Sequence, residues 1–431
     1  VFEDEAIARA KEIDAKIVKG TAGKLAGMVI GIKDNICYKN HKSGAASKIL
    51  TGFESLYNAT VVERLLNDDA IIIGRLNCDE FAMGSANENS YYGPTKNPND
   101  ISKVSGGSSG GAATAVAANL CLAALGSDTG GSIRQPSSFC GTIGLKPTYT
   151  RVSRFGLIAF ASSFDQIGPI TNTVEDAAII LEVIAGKDDY DSTISIKKVE
   201  KYSNLLEDKK PKRVAYFPEC FESEGLDKEV KSTILKQIQT LKSKGHIVER
   251  VSFPYLDYLV PAYYVLTTAE ASSNLARFDG VHFGYRSEKG INHETTYLKT
   301  RTKGLGKEVQ RRIMLGTFVL SAGYHDAYYT KAQKMRRLIQ DKTKEIFNDY
   351  DFILTPTTPH TAFDLGLEVK NPVAMYLEDI YTVLANLSGN PAISLPLAEH
   401  TNGMPFGTQL MAKPFHESEL LGFSHNLMNS L

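Results

Sequence analysis

Between residues 105 and 132 the chain carries three glycine pairs, Gly106-Gly107, Gly110-Gly111 and Gly130-Gly131, each beside a serine. The first two bracket Ser108-Ser109, and the third precedes Ser132 in the run Gly126-Ser-Asp-Thr-Gly-Gly-Ser132. Glycine is costly to order, so such clusters mark tight turns or close approach of the backbone to another group. Gly/Ser runs also form flexible linkers, but the segment joining these clusters, residues 112–125, is apolar and compact. A solvated linker has no use for such a segment. Both clusters are therefore expected at the edge of a buried core, with serine hydroxyls beside bare N–H groups. A nucleophile next to an oxyanion hole requires that arrangement.

The rest of the composition narrows the class. A chain of 431 residues with 42% hydrophobic and 23% charged residues has ample material for a globular core. Its net charge of −1 provides no body-wide electrostatic footprint for nucleic acid, so any polynucleotide contact must be local or made by a partner. Five cysteines, Cys37, Cys78, Cys121, Cys140 and Cys220, lie mostly in apolar surroundings and form no Cys-x-x-Cys pair. They are expected as buried, reduced thiols of a cytosolic protein. The nine histidines show no ligand spacing, and no metal is expected. No apolar run approaches a membrane span.

Along the chain, apolar periodicity predicts a helix over 3–17, a short strand over 28–32 ending in Lys33, a helix over 60–68 and a buried strand over 70–73. A helix starts after Thr173 with Glu175 and Asp176 in its first turn. Residues 187–213 are charged and polar and read as a surface excursion. Beyond them, strand 213–217, helix 227–244 and strand 247–253 give a strand–helix–strand rhythm, which implies an α/β layered architecture. A long helical region over 308–348, strand 352–355, helix 376–387, strands 392–395 and 406–411 and a terminal helix complete the pattern.

Three chemistries compete for the serines. Gly106-Gly-Ser108-Ser-Gly110 satisfies the Gly-x-Ser-x-Gly elbow literally, but the polar residues 99–104 provide no strand before the turn, as that motif needs. A phosphate-cradling loop would need Gly-x-x-x-x-Gly-Lys-[Ser/Thr], which is absent. A serine hydrolase using a lysine base is the third. Lysine serves as a base only when neutral, so its pKa must fall by roughly 3 units, worth about 4 kcal/mol, through burial. Lys33, at the end of an apolar strand and on the opposite face from Asp34, is suitably placed for such a shift.

Ile32-Lys-Asp-Asn35, Ser105-Gly-Gly-Ser-Ser-Gly-Gly111 and Gly126-Ser-Asp-Thr-Gly-Gly-Ser-Ile-Arg-Gln-Pro136 together resemble the amidase signature family, and the resemblance covers nearly the whole chain. It implies the family fold, a central mixed β-sheet covered on both faces by helices. It also implies one domain over 1–431 with an excursion around 187–300, and a further helical segment before Val1. The resemblance assigns Ser132 as acyl-forming nucleophile, Ser108 as bridging serine after a cis peptide, and Lys33 as general base. Thr129, Gly130 and Gly131 would supply the oxyanion hole, and Ser109 is left without a role.

Within the family, Glu270-Ala-Ser-Ser-Asn-Leu-Ala-Arg-Phe-Asp-Gly280, Glu308-Val-Gln-Arg-Arg-Ile-Met-Leu-Gly316 and Met375-Tyr-Leu-Glu-Asp379 resemble motifs of glutamine-hydrolysing subunits of tRNA-dependent amidotransferases. This resemblance implies that Asp379 takes the α-ammonium of glutamine and Arg312 its α-carboxylate, with Tyr263 lining the pocket; Arg311 and Tyr264 are the alternatives at those positions. It further implies a bacterial, cytoplasmic heterotrimer with B and C subunits. Ammonia from this chain would convert Glu-tRNA(Gln) or Asp-tRNA(Asn), with tRNA, ATP and magnesium held mainly by the partner and no cofactor here. A stand-alone hydrolase of small or aryl amides and a catalytically silent scaffold are the rival readings.

Overall fold

In the structure, a computed structural model describing residues 1–208, 210–367 and 378–429, one ten-stranded mixed sheet organises the chain. The strands are β1 (Val29–Lys33), β2 (Ile71–Leu76), β3 (Ala123–Asp128), β4 (Ile143–Lys146), β5 (Gln166–Thr171), β6 (Arg213–Tyr216), β7 (Ile247–Arg250), β8 (Phe352–Pro356), β9 (Ala392–Glu399) and β10 (Pro405–Ala412). Their order is β2-β1-β3-β5-β4-β9-β10-β8-β6-β7. The two ends of the sheet are parallel, β2-β1-β3 and β8-β6-β7, and the middle is antiparallel.

Every residue of β3, β4, β5 and β8 is buried. Successive side chains on a strand point to opposite faces, so both faces are covered, as in other helix-layered sheets. On β3, Ala123 and Leu125 enter the main core with Ile30, Ile32 and Ile167. Ala124 faces a second cluster with Ala112, Val116, Ile133 and Ile170. That second layer is built from the helices Gly110–Ala117 and Arg134–Cys140, both inside the glycine-serine region.

The predicted elements are largely present, with informative shifts. The helix at 3–17 spans Glu3–Lys19, and Thr173 caps Val174–Ile184 by accepting from the Asp176 N–H at 3.1 Å. Strand 247–253 is shorter, ending at Arg250. The region 308–348 is two helices, Lys307–Leu320 and Lys331–Asp349, parted by a turn at Gly323 (φ 84°) and a π-helical segment, His325–Thr330. Helix 376–387 begins outside the described residues; 378–382 form turns and the helix spans Val383–Ser388. All five cysteines are buried and free. No described helix is long and apolar enough to cross a membrane.

Candidate active site

The carboxyl ends of three parallel strands converge at one point, where open α/β sheets place their ligands. Lys33 closes β1, β2 leads into Asp79, and Asp128 closes β3 and opens the turn at 129–132. The Lys33 side chain is fully buried. Its Nζ lies 2.7 Å from Ser108 Oγ, 2.9 Å from Ser109 Oγ and 3.0 Å from Ser127 Oγ, with the Ser127 carbonyl at 3.3 Å. Burial pushes the Lys33 pKa down to about 8, although Asp79, Asp128 and Asp165 pull the other way. The surroundings are thus less free of acids than the strand pattern predicted. Asp34, as expected from its opposite face, does not pair with Lys33; it accepts from the Ala46 N–H at 2.8 Å and sits 3.8 Å from Arg75.

Ser108 follows a cis Gly107-Ser108 peptide. Its carbonyl accepts from the Asp79 N–H at 3.2 Å, and the Gly107 N–H donates to Gln135 Oε1 at 2.9 Å. The Asp79 carboxylate accepts in turn from the Asn87 and Asn89 N–H groups. Ser109 has more to do than its sequence position indicated. Besides meeting Lys33, its hydroxyl donates to the Ser127 carbonyl at 3.1 Å, and its N–H donates to the Ser132 carbonyl at 3.1 Å.

The turn carrying Ser132 is shaped from below by Asp128. That carboxylate accepts from the N–H groups of Gly131 (2.9 Å) and Ile133 (3.2 Å), and from Arg134 Nε and Nη2 (3.0 and 2.9 Å). Burial alone would raise the Asp128 carboxyl, but the equally buried Arg134 guanidinium outweighs it and holds it at about 2. Arg134 also donates to the Thr382 carbonyl and to Asn386 Oδ1. Gly131 has φ 141°, and a Cβ there would overlap Thr382, while a Cβ on Gly130 would come within 2.5 Å of the Tyr263 ring. Of the expected oxyanion donors, Gly131 is already committed to Asp128. The N–H groups of Thr129, Gly130 and Ser132 have no protein acceptor among the described residues. Nor does the Ser132 hydroxyl, on a residue 8% exposed, have a hydrogen-bond partner among them.

The charged pocket residues also meet here. The Asp379 carboxylate accepts from Tyr264 Oη and Ser85 Oγ, both at 3.1 Å, and burial pushes its pKa up to about 7 against the pull of Arg312. Arg312 is 2% exposed, donates from Nε to Glu308 at 2.8 Å and lies 5.2 Å over the Tyr264 ring. The neighbouring Arg311 side chain is 44% exposed. Tyr263 and Tyr264 divide the remaining work: the former packs against Gly130 and edge-on to Phe164, and the latter bonds Asp379. A serine hydroxyl, a lysine of lowered pKa, N–H groups without an acceptor among the described residues, and a buried carboxylate and guanidinium therefore share one site, a set whose chemistry suits amide hydrolysis.

The Amidase family profile matches residues 1–421. The chain belongs to the amidase family. Its relatives include the A subunit of the Chlorobaculum tepidum glutamyl-tRNA(Gln) amidotransferase, 51% identical over 99% of this chain and 89% of that protein. The corresponding A subunit from Brevibacillus brevis is 51% identical over 99% and 87%. Among solved structures, the A subunit of the Thermotoga maritima glutamyl-tRNA(Gln) amidotransferase is 44% identical with a TM-score of 0.79, covering 93% of this chain and 82% of that one. A peptide amidase from Stenotrophomonas maltophilia is 27% identical with a TM-score of 0.81, covering 99% and 87%. The ten-stranded mixed sheet is thus the amidase fold.

Against this amidase site, sequence reasoning missed Ser127, Ser85, Asp79 and Arg134. Ser127 and Arg134 stood inside the quoted motifs, and their buried polar character was the available signal. Ser85 and Asp79 lie in a loop with no periodicity, and only the fold brings them in.

Proposed function

We propose that this chain is the glutaminase subunit of a tRNA-dependent amidotransferase. The observation that carries the reading is a buried carboxylate, Asp379, lying within the field of the buried Arg312 guanidinium that pairs with Glu308, in a chain half identical to the A subunits of glutamyl-tRNA(Gln) amidotransferases. Glutamine presents an α-ammonium and an α-carboxylate at one end and an amide at the other. Asp379, oriented by Tyr264 and Ser85, receives the ammonium; Arg312 receives the carboxylate; Tyr263 fills the space between them and the turn at 129–132.

Chemistry then runs along the buried hydroxyl–amine chain. Ser132 Oγ attacks the side-chain amide carbon while its proton passes to Ser108 and the Ser108 proton to neutral Lys33, a relay supported by the 2.7 Å Lys33–Ser108 bond. The relay requires a Ser132–Ser108 hydrogen bond, which a rotation about the Ser132 Cα–Cβ bond, a fast motion, would have to form. The N–H groups of Thr129 and Gly130 face the developing oxyanion, and Gly131 serves through its link to Asp128 as the element that fixes the turn. Collapse returns the Lys33 proton through Ser108 to the leaving nitrogen, releasing ammonia and a Ser132 acyl ester. Water, activated along the same relay, releases glutamate.

Ammonia would pass to partner B and C subunits, which would hold the ATP and magnesium needed to activate the Glu-tRNA(Gln) or Asp-tRNA(Asn) carboxyl. The near-neutral charge of the chain suits a subunit that leaves most tRNA binding to its neighbour. The test is Arg312→Ala in the co-purified complex, assayed for glutamine hydrolysis and for glutamine-dependent amidation of each tRNA. A KM for glutamine raised at least tenfold is expected, since a charge-assisted bond contributes about 1.5–3 kcal/mol. Unchanged glutamine turnover would instead favour an amidase of apolar amides.

A further inference from the structure

Next to Asp379 lies a pair that the relay does not use. His360, on the loop after β8, places Nε2 2.7 Å from Glu378 Oε1 and Nδ1 2.8 Å from the Thr361 carbonyl. A carbonyl only accepts, so Nδ1 carries a proton. The Nε2···Oε1 bond then holds one further proton, on the imidazolium or on the carboxylic acid. Either way the pair bears no net charge. Glu378 is 6% exposed, and its other oxygen is buried without a hydrogen bond among the described residues. His360 is therefore the one described group that compensates Glu378.

We propose that His360 and Glu378 form a neutral, proton-sharing pair that positions Asp379 and keeps it ionised for the ammonium of the substrate. The inference rests on the glutaminase reading above. Glu378 is bonded to Asp379 through one peptide unit, and negative charge on it pushes the Asp379 pKa up. Removing the imidazole leaves a lone anion beside Asp379, which then stays protonated to higher pH and loses its hold on an ammonium. The other charged groups near His360 are Asp227, at the start of the helix Lys228–Ser243, and, beyond it, His400 and Glu229; His400 Nε2 is 3.4 Å from Asp227 and 3.2 Å from Glu229. Asp227 thus has its own partner, whereas among the described residues Glu378 has only His360. Phe139 and Phe363 flank the ring at 6.2 and 5.7 Å between centroids and present no charge.

The experiment measures glutamine KM and kcat from pH 5.5 to 9 for the assembled enzyme carrying His360→Ala, Glu378→Gln or both. His360→Ala is expected to raise KM at pH 7 by roughly three- to tenfold, with kcat changed less than twofold. The pH at which KM begins to rise should move up by as much as one unit, since one unit corresponds to a tenfold change in proton affinity. The double variant removes the lone anion and should restore KM to within twofold of wild type. A double variant as impaired as His360→Ala, with unchanged thermal midpoint, would reduce the pair to packing and overturn the inference. So would a His360→Ala enzyme with wild-type KM at every pH. Glu378→Gln alone replaces one neutral pair by another, so its KM profile should stay within about 0.3 pH unit of wild type; a downward shift sinks the proposal even where His360→Ala does not fold. Wild-type enzyme without glutamine turnover would overturn the glutaminase reading and this inference together, whereas active wild type with indifferent variants overturns only the inference.

Discussion

The proposed relay depends on Lys33, and the surroundings of that residue set the pH at which it would work. Four contacts to serine oxygens hold the amine in place, and burial lowers its pKa to about 8. A base must be deprotonated, so kcat should climb with pH through a midpoint near 8 and level off above it. Replacing Lys33 by Ala should cost about 10²–10⁴-fold in kcat, the usual worth of a positioned base, with KM little changed. Stopped-time ammonia assays across pH check both; a pH-independent kcat would remove Lys33 from the relay. The sequence made Lys33 eligible, through an apolar strand ending in a cation, but could not link it to serines about a hundred residues away. Only the resemblance made that connection. Asp79 and Asp165 were beyond reach altogether, because a carboxylate's burial depends on what the fold stacks over it.

Elements show the same division. Amphipathic or capped segments such as Glu3–Lys19, Val174–Ile184 and Lys228–Ser243 were legible because periodicity and caps act locally. The strand β3, with the sequence Ala-Ala-Leu-Gly-Ser-Asp, has poor β-propensity and exists because β1 and β5 flank it. The helix Leu256–Asn274, which carries both pocket tyrosines, is apolar on most sides and contains Pro261, so no amphipathic stripe announced it. The turn after β3 makes its own prediction. Gly131→Ala forces a side chain into Thr382 at a φ unfavourable to L-residues, which should displace the N–H donors of residues 129 and 130. A loss of about 10²–10³-fold in kcat is expected, the size seen when one oxyanion donor is removed. A Gly131→Ala protein with near wild-type kcat would mean that the turn tolerates a shift and is not the oxyanion site.

At the scale of the molecule, burying so many ionisable groups has a thermodynamic signature. Asp79, Glu80, Asp165 and Asp379 have pKa values pushed up by burial to about 6, 7, 6 and 7. The folded state therefore binds more protons than the unfolded chain between about pH 4 and 7, and stability rises as pH falls across that window. Lys33 and Lys146, pushed down to about 8 and 7, act in the opposite direction above it: the unfolded chain binds more protons, and stability rises with pH. Both costs are present together just above neutrality. Calorimetry should accordingly give a thermal midpoint higher at pH 5.5 than at 7.5 by roughly 2 °C or more, with stability falling again below pH 4 as Asp128 is protonated against Arg134. An equal or lower midpoint at pH 5.5 would contradict this account.

The clasp on the Ser132 turn also bears on how the protein comes into being. Arg134 reaches Thr382, Asn386 and, on β10, Gln409, and β9 and β10 sit in the interior of the sheet between β4 and β8. During synthesis on the ribosome, everything named in the proposed relay has been made by residue 132, yet the groups that lock the turn through Arg134 arrive 248 to 275 residues after it. A nascent chain is consequently inert until its last strands insert, and a polypeptide truncated before β10 carries the whole triad without a site to hold it.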